Sequence, residues 1–152
     1  MQKPNSDRIE KQIVLAKPRA RVWRAVSDFK EFGQWFRVEL EGPFVAGKTT
    51  YGHITYPGYE HLKVEMQIVD VEPERYLSYR WRPNAVDPNQ DYSSEPTTLV
   101  EFTLDEAPGG TRLTIVESGF DALPEARRAE AFRSNEGGWS KQLKNIERHV
   151  SS

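Results

Sequence analysis

The sequence predicts an α+β protein: a curved antiparallel sheet wrapped around one long C-terminal helix. Three observations lead there. Phe132, Glu136, Trp139, Leu143, Ile146 and Val150 recur at alternating steps of four and three, the spacing of one helix face. Between about residues 48 and 117, apolar residues alternate in a run of strands joined by short Pro- and Gly-containing turns, which favours antiparallel neighbours. An antiparallel sheet with one apolar face must cover it, and the long helix is the element able to do so.

The elements follow in order. Ile9 to Leu15 alternates and reads as a strand. Pro18 suits the first turn of a helix whose apolar face is Val22, Ala25, Val26 and Phe29. Asp28 is placed to cap a second short helix, running to about Gln34. Lys48 to Thr55 is a strand with Thr49, Tyr51, His53 and Thr55 on one face. Tyr56–Pro57–Gly58–Tyr59 fits a type II turn. Leu62 to Val71 is a long strand whose alternation slips at Val69–Val71, where a bulge would fit. Arg75 to Trp81 follows. Thr97 to Leu104 and Thr111 to Glu117 form a hairpin around Pro108–Gly109–Gly110. The last helix is predicted from near Pro124 to about Val150, ~40 Å at 1.5 Å per residue. Arg82 to Pro96 has no periodicity and is long for a hairpin turn, so it reads as a lid or a surface insertion.

Composition narrows the function. The 152 residues are 37% hydrophobic and 29% charged, which suits one domain with a core from about residue 8 to 150. No apolar run approaches the ~20 residues that span a bilayer. The first residues lack a secretory apolar region, and there is no cysteine, so a cytoplasmic location is expected. A net charge of −2 argues against nucleic acid as the main partner. Arg127–Arg128, interleaved with glutamates, reads as a solvated helix face. His53, His61 and His149 share no metal-binding spacing, and neither a nucleophile elbow nor a phosphate loop is present. No metal or cofactor is expected.

Several strings resemble a known group. Lys17 to Val26, Phe32–Gly33–Gln34–Trp35–Phe36 and Gly42–Pro43–Phe44 are similar to the opening of the START-like, helix-grip (SRPBCC) superfamily. Tyr79–Arg80–Trp81, Gly109 to Thr114, Val116 to Phe120 and Gly138–Trp139 with Leu143 resemble homologues of the activator of the heat shock protein 90 ATPase. The resemblance spans about Arg8 to His149. It implies the helix-grip fold and, for the superfamily, a cavity between sheet and long helix that binds lipids, sterols, polyketides or plant hormones, with some members acting as cyclases. The chain shows no counterpart of the co-chaperone's separate N-terminal docking domain, so a chaperone partner is the remotest of the implied readings.

The candidate site is an aromatic set with a few polar groups: Trp35, Phe36, His53, Tyr79, Trp81, Glu117, Phe120, Glu136 and Trp139. Core filling is the simpler account of any single aromatic, and Trp35 and Phe36 follow a short helix at a cavity mouth. Glu136 interrupts an apolar stripe one turn from Trp139. Glu117 keeps parity with Leu113 and Ile115 and should face inward. Two inward carboxylates would make a general acid or a ligand hydrogen-bond donor; a salt bridge to Arg80, Arg112 or Arg133, or a glutamate at the wet end of the helix, is the alternative. The leading expectation is binding of a small, mostly hydrophobic or aromatic ligand by a carrier, sensor or regulator. A cyclase-, dehydratase- or hydrolase-type enzyme using Glu136, Glu117 or His53 is the alternative, and a co-chaperone-like interaction module the second.

Overall fold

The computed structural model describes residues 7–83 and 91–151. Strand β1 (Arg8–Leu15) leads into helices α1 (Arg19–Ser27) and α2 (Phe29–Phe36). Strands β2 (Val38–Leu40), β3 (Thr49–Ile54), β4 (Lys63–Glu72), β5 (Tyr76–Trp81), β6 (Thr98–Ala107) and β7 (Gly110–Ser118) follow. After a 3-10 turn at Phe120–Ala122, α3 runs from Glu125 to Ser151. The strands form one antiparallel sheet in the order β1-β7-β6-β5-β4-β3-β2. The predicted fold class and the long final helix are therefore present. The short strand β2 was not predicted, because three residues are too few to show a period.

Local chemistry explains the boundaries. Asp28 accepts hydrogen bonds from the Lys30 and Glu31 amides and caps α2, which continues past Gln34 to Phe36. The β4–β5 register shifts between Ile68 and Asp70, where the alternation slips. The β6–β7 turn closes on the pair Ala107 and Gly110. A Cβ on Gly110 would lie 1.9 Å from the Leu15 carbonyl oxygen, so the end of β1 approaches that turn as only glycine permits.

The inner sheet face meets the helices over a core that includes Leu15, Val26, Phe32, Met66, Leu77, Phe102, Leu113, Ile115 and Ile146. Helix α3 is not the only cover: α1 buries Val22, Ala25 and Val26 and packs on β6 and β7. Trp35 donates its indole N–H to the Ala25 carbonyl at 2.8 Å and is buried, which ties α2 to α1.

At the far end of α3, Glu31 joins all three helices. Its carboxylate meets Arg21 at 2.9 Å, Arg24 at 2.7 Å and His149 at 2.8 Å. Burial pushes the Glu31 carboxyl up, but hydrogen bonds from His149 and Arg21 and the charges of Arg21 and Arg24 outweigh it. The group is held below its ordinary value of 4.5. A depressed carboxylate stabilises the fold above its unfolded value, and that contribution disappears as pH falls through the folded value. The melting temperature of wild type should therefore exceed that of Glu31→Gln at neutral pH. The gap should start to close below pH of about 4.5 and vanish in stronger acid; a constant gap down to that acid limit would refute the assignment.

Candidate functional site

The site grows from one buried carboxylate. Glu117 on β7 is fully buried, on the inward face that its parity with Leu113 and Ile115 predicts. Its Oε1 accepts from Asn135 Nδ2 at 2.9 Å and Trp139 Nε1 at 2.8 Å. Its Oε2 accepts from Trp81 Nε1 at 2.8 Å and Thr98 Oγ1 at 2.5 Å. No cation among the described residues takes part. Four neutral donors from β5, β6 and α3 offset the cost of removing the carboxylate from water.

This arrangement orients the aromatic wall. With both indole N–H groups directed at Glu117, Trp81 and Trp139 stack at 5.9 Å and 30°. Phe36 meets Trp81 at 5.8 Å and Trp139 at 6.1 Å. Phe102 and Trp139 pack edge to face, and Tyr79 meets Phe102 at 6.0 Å. These rings fill much of the space between sheet and helix where the expected cavity would lie.

Open space remains at one end. A groove of about 400 Å³ is lined by Phe36, Ile54, Leu62, Val64, Trp81 and Pro83, with Lys63, Glu65, Arg82, Ser93, Ser134 and Asn135. A second space of about 190 Å³ shares Phe36, Trp81, Ser134 and Asn135 and extends to Gly138, Trp139 and Gln142. Gly138 sits inside a helix, where glycine costs about 1 kcal/mol against alanine. A Cβ there would touch nothing within 4 Å, so the missing side chain leaves room in the groove.

The two limbs of the 82–96 connection form one wall. Arg82 donates to Glu65 Oε2 at 3.1 Å and to the Ser93 carbonyl at 3.0 Å. From α3, Arg127 grips Glu95 through Nε and Nη2, reaches the Pro83 carbonyl at 3.0 Å and lies 4.7 Å from the Tyr92 ring centroid. Arg127 is thus largely buried in an ion pair, which corrects its reading as part of a solvated helix face. Residues 84–90 of this connection lie outside the described residues.

The expected residues divide clearly. Phe36, Trp81 and Trp139 line the groove, and Glu117 holds the two tryptophans. Trp35 belongs to the α1–α2 contact. Phe120 is buried against Phe132, with ring centroids 5.3 Å apart. His53 is exposed on the outer face of β3, its Nε2 3.6 Å from Glu39. The inward residues of that strand are Thr50, Gly52 and Ile54, one step out of phase with it.

Glu136 is exposed and lines neither space, so the two glutamates do not meet. At about 100° per residue, Asn135 falls roughly 40° to one side of Trp139 and Glu136 roughly 60° to the other. Buried Ala131 and Ile146 draw the inward face toward the Asn135 side. Asn135 was missed for that reason. Thr98 was also missed, although its parity with Val100, Phe102 and Leu104 puts it on the inward face of β6.

Tyr79 is buried, and its hydroxyl has no hydrogen-bond partner among the described residues. Burial, reinforced by the Glu117 charge, pushes its phenol well above the usual 10.0, so it remains neutral. An unpaired buried hydroxyl is costly. Tyr79→Phe should therefore leave stability unchanged or raise it by up to ~1 kcal/mol in urea denaturation. A loss above ~1 kcal/mol would reveal a bond to that hydroxyl.

Sheet, helices and groove together define a helix-grip protein with an aromatic-walled opening. The chain belongs to the family described as Activator of Hsp90 ATPase homolog 1-like protein, whose model matches residues 16–151. No curated protein has a matching sequence. Among solved structures, a Mesorhizobium loti protein is similar at 22% identity and TM-score 0.75, covering 95% of this chain and 96% of that one. The Aha1 dimer from Colwellia psychrerythraea matches at 13% identity and TM-score 0.70, covering 94% and 95%. DynU16, from the dynemicin biosynthetic locus, matches at 23% identity and TM-score 0.75 over 98% of this chain and 48% of its own. These likenesses are of fold. No helix among the described residues is long and apolar enough to cross a membrane.

Proposed function

We propose that this protein binds a planar, mostly apolar molecule in the groove between α2, β5 and α3. The observation that carries the reading is the pair of adjoining open spaces sharing Phe36, Trp81, Ser134 and Asn135. Their tryptophan wall is pinned edge-on by Glu117. Rigid aromatic walls with a few polar groups suit small-molecule recognition. Binding is favoured over catalysis because Glu117 spends both oxygens on four donors, while Glu136 and His53 lie away from the groove. None of the three acid–base groups expected from the sequence is then free to work in the groove, and the Glu65 carboxylate at its edge is paired with Arg82 at 3.1 Å.

Planar aromatic compounds should raise the melting temperature. A hundredfold excess over Kd adds ~2.7 kcal/mol, or roughly 5–10 °C for a chain of this size. In Gly138→Leu the new side chain leans toward the Ser134–Asn135 turn and into the smaller space. That variant should be at least as stable alone, yet show a smaller ligand-induced shift. If no compound in a broad aromatic panel shifts wild type, the groove reading fails and the interaction-module reading replaces it.

A further inference from the structure

We propose that the groove selects planar aromatic molecules that carry a hydrogen-bond donor, such as a phenolic hydroxyl, and that Asn135 is the residue that does so. The inference rests on the groove reading above and adds the polarity of the ligand's edge. The charged residues at the rim are turned outward or matched. Lys63 and Glu65 have opposite parity to inward Val64 and Met66 and pair with His53 and Tyr51 on the outer face of the sheet. Arg82 is bound to Glu65 and to the Ser93 carbonyl. On the inner wall the indole N–H groups of Trp81 and Trp139 both go to Glu117. The Phe36 carbonyl accepts from Gln142 at 3.3 Å, and the Pro83 carbonyl from Arg127.

Asn135 keeps one polar atom in reserve. Its Nδ2 donates to Glu117 Oε1 at 2.9 Å. A carboxylate oxygen accepts, and only the NH₂ end of the amide can donate to it. The orientation of the amide is thereby fixed, with Oδ1 as its free end. Nothing among the described residues donates to Oδ1, which stays open to solvent. Asn135 borders both open spaces, where they also share Phe36 and Trp81. A flat ring lying against Trp81 there would take water away from Oδ1. A ligand without a donor leaves that oxygen unpaired, whereas a hydroxyl at the ring edge pairs it. The neighbouring Ser134 hydroxyl can donate or accept, so it does not discriminate between the two.

The test uses 2-naphthol, 2-fluoronaphthalene and 2-methoxynaphthalene, titrated calorimetrically against wild type, Asn135→Leu and Ser134→Ala. The fluoro compound keeps the size of the naphthol without its donor, and the methoxy compound keeps the oxygen without its proton. Wild type should bind the naphthol about five-fold more tightly than either. Asn135→Leu, of similar volume, should bring the ratios to about one without weakening the fluoro compound. Ser134→Ala should keep the preference, whatever it does to the affinities themselves. Near-ultraviolet dichroism of the tryptophans shows whether Asn135→Leu is folded; if it is not, the wild-type ranking and Ser134→Ala decide. Equal affinities in wild type, a preference that survives in folded Asn135→Leu, or one lost in Ser134→Ala would overturn the assignment while leaving the groove reading intact. Failure of all three compounds to bind any of the proteins would remove the groove reading and this inference together.

Discussion

Glu117→Ala should destabilise the protein by about 3–5 kcal/mol and disorder the groove wall. The substitution removes an acceptor that four donors share. Trp81 Nε1, Trp139 Nε1, Asn135 Nδ2 and Thr98 Oγ1 would be left in the interior without their partner. The two indole N–H groups can only donate, and without the carboxylate just the Asn135 carbonyl and the Thr98 hydroxyl are left among the four partners to accept from them. Glu117→Gln is a sharper test, because its shape is nearly unchanged. Whichever way the amide turns, its NH₂ faces at least one indole N–H, so it should still cost ~1–3 kcal/mol. The measurement is urea denaturation together with near-ultraviolet dichroism of the tryptophans. A Glu117→Gln protein as stable as wild type, with unchanged tryptophan signals, would show that the carboxylate does not organise the wall.

Trp139→Ala should have an effect of similar size, ~3–5 kcal/mol, for a different reason. The indole is 3% exposed and touches Phe36, Trp81 and Phe102. Its loss leaves a cavity and removes one of the two donors to Glu117 Oε1. Trp139→Phe separates the two contributions. It keeps most of the packing and removes the N–H, so it should cost less than alanine yet more than a volume change alone. Differential scanning calorimetry of the two variants would measure this. Trp139→Ala within ~1 kcal/mol of wild type would contradict the burial of the ring.

The two glutamates show how far a pattern in one dimension can be read. Glu117 was placed correctly because strand parity is a two-state property: a residue in phase with Leu113 and Ile115 faces inward. Glu136 was misplaced because a helix face is a continuous angle. Neighbouring positions differ by about 100°, and an apolar stripe alone does not tell which flank of Trp139 turns toward the sheet. The same limit hid Asn135. His53 went astray in a strand with too few apolar residues to mark its inner face.

The sequence by itself determined the fold class, the order of the main elements, the cap at Asp28, the bulge near Val69 and the family resemblance. All of these follow from local periodicity, turn chemistry and short strings of residues. Only the tertiary structure decided that one carboxylate gathers donors from β5, β6 and α3, that Arg127 clasps the 82–96 connection, and that aromatic rings fill the interior and leave open space at one end. Those features depend on which side chains meet across elements far apart in the chain. Packing and the satisfaction of buried polar groups decide that, and no spacing within a single element encodes it.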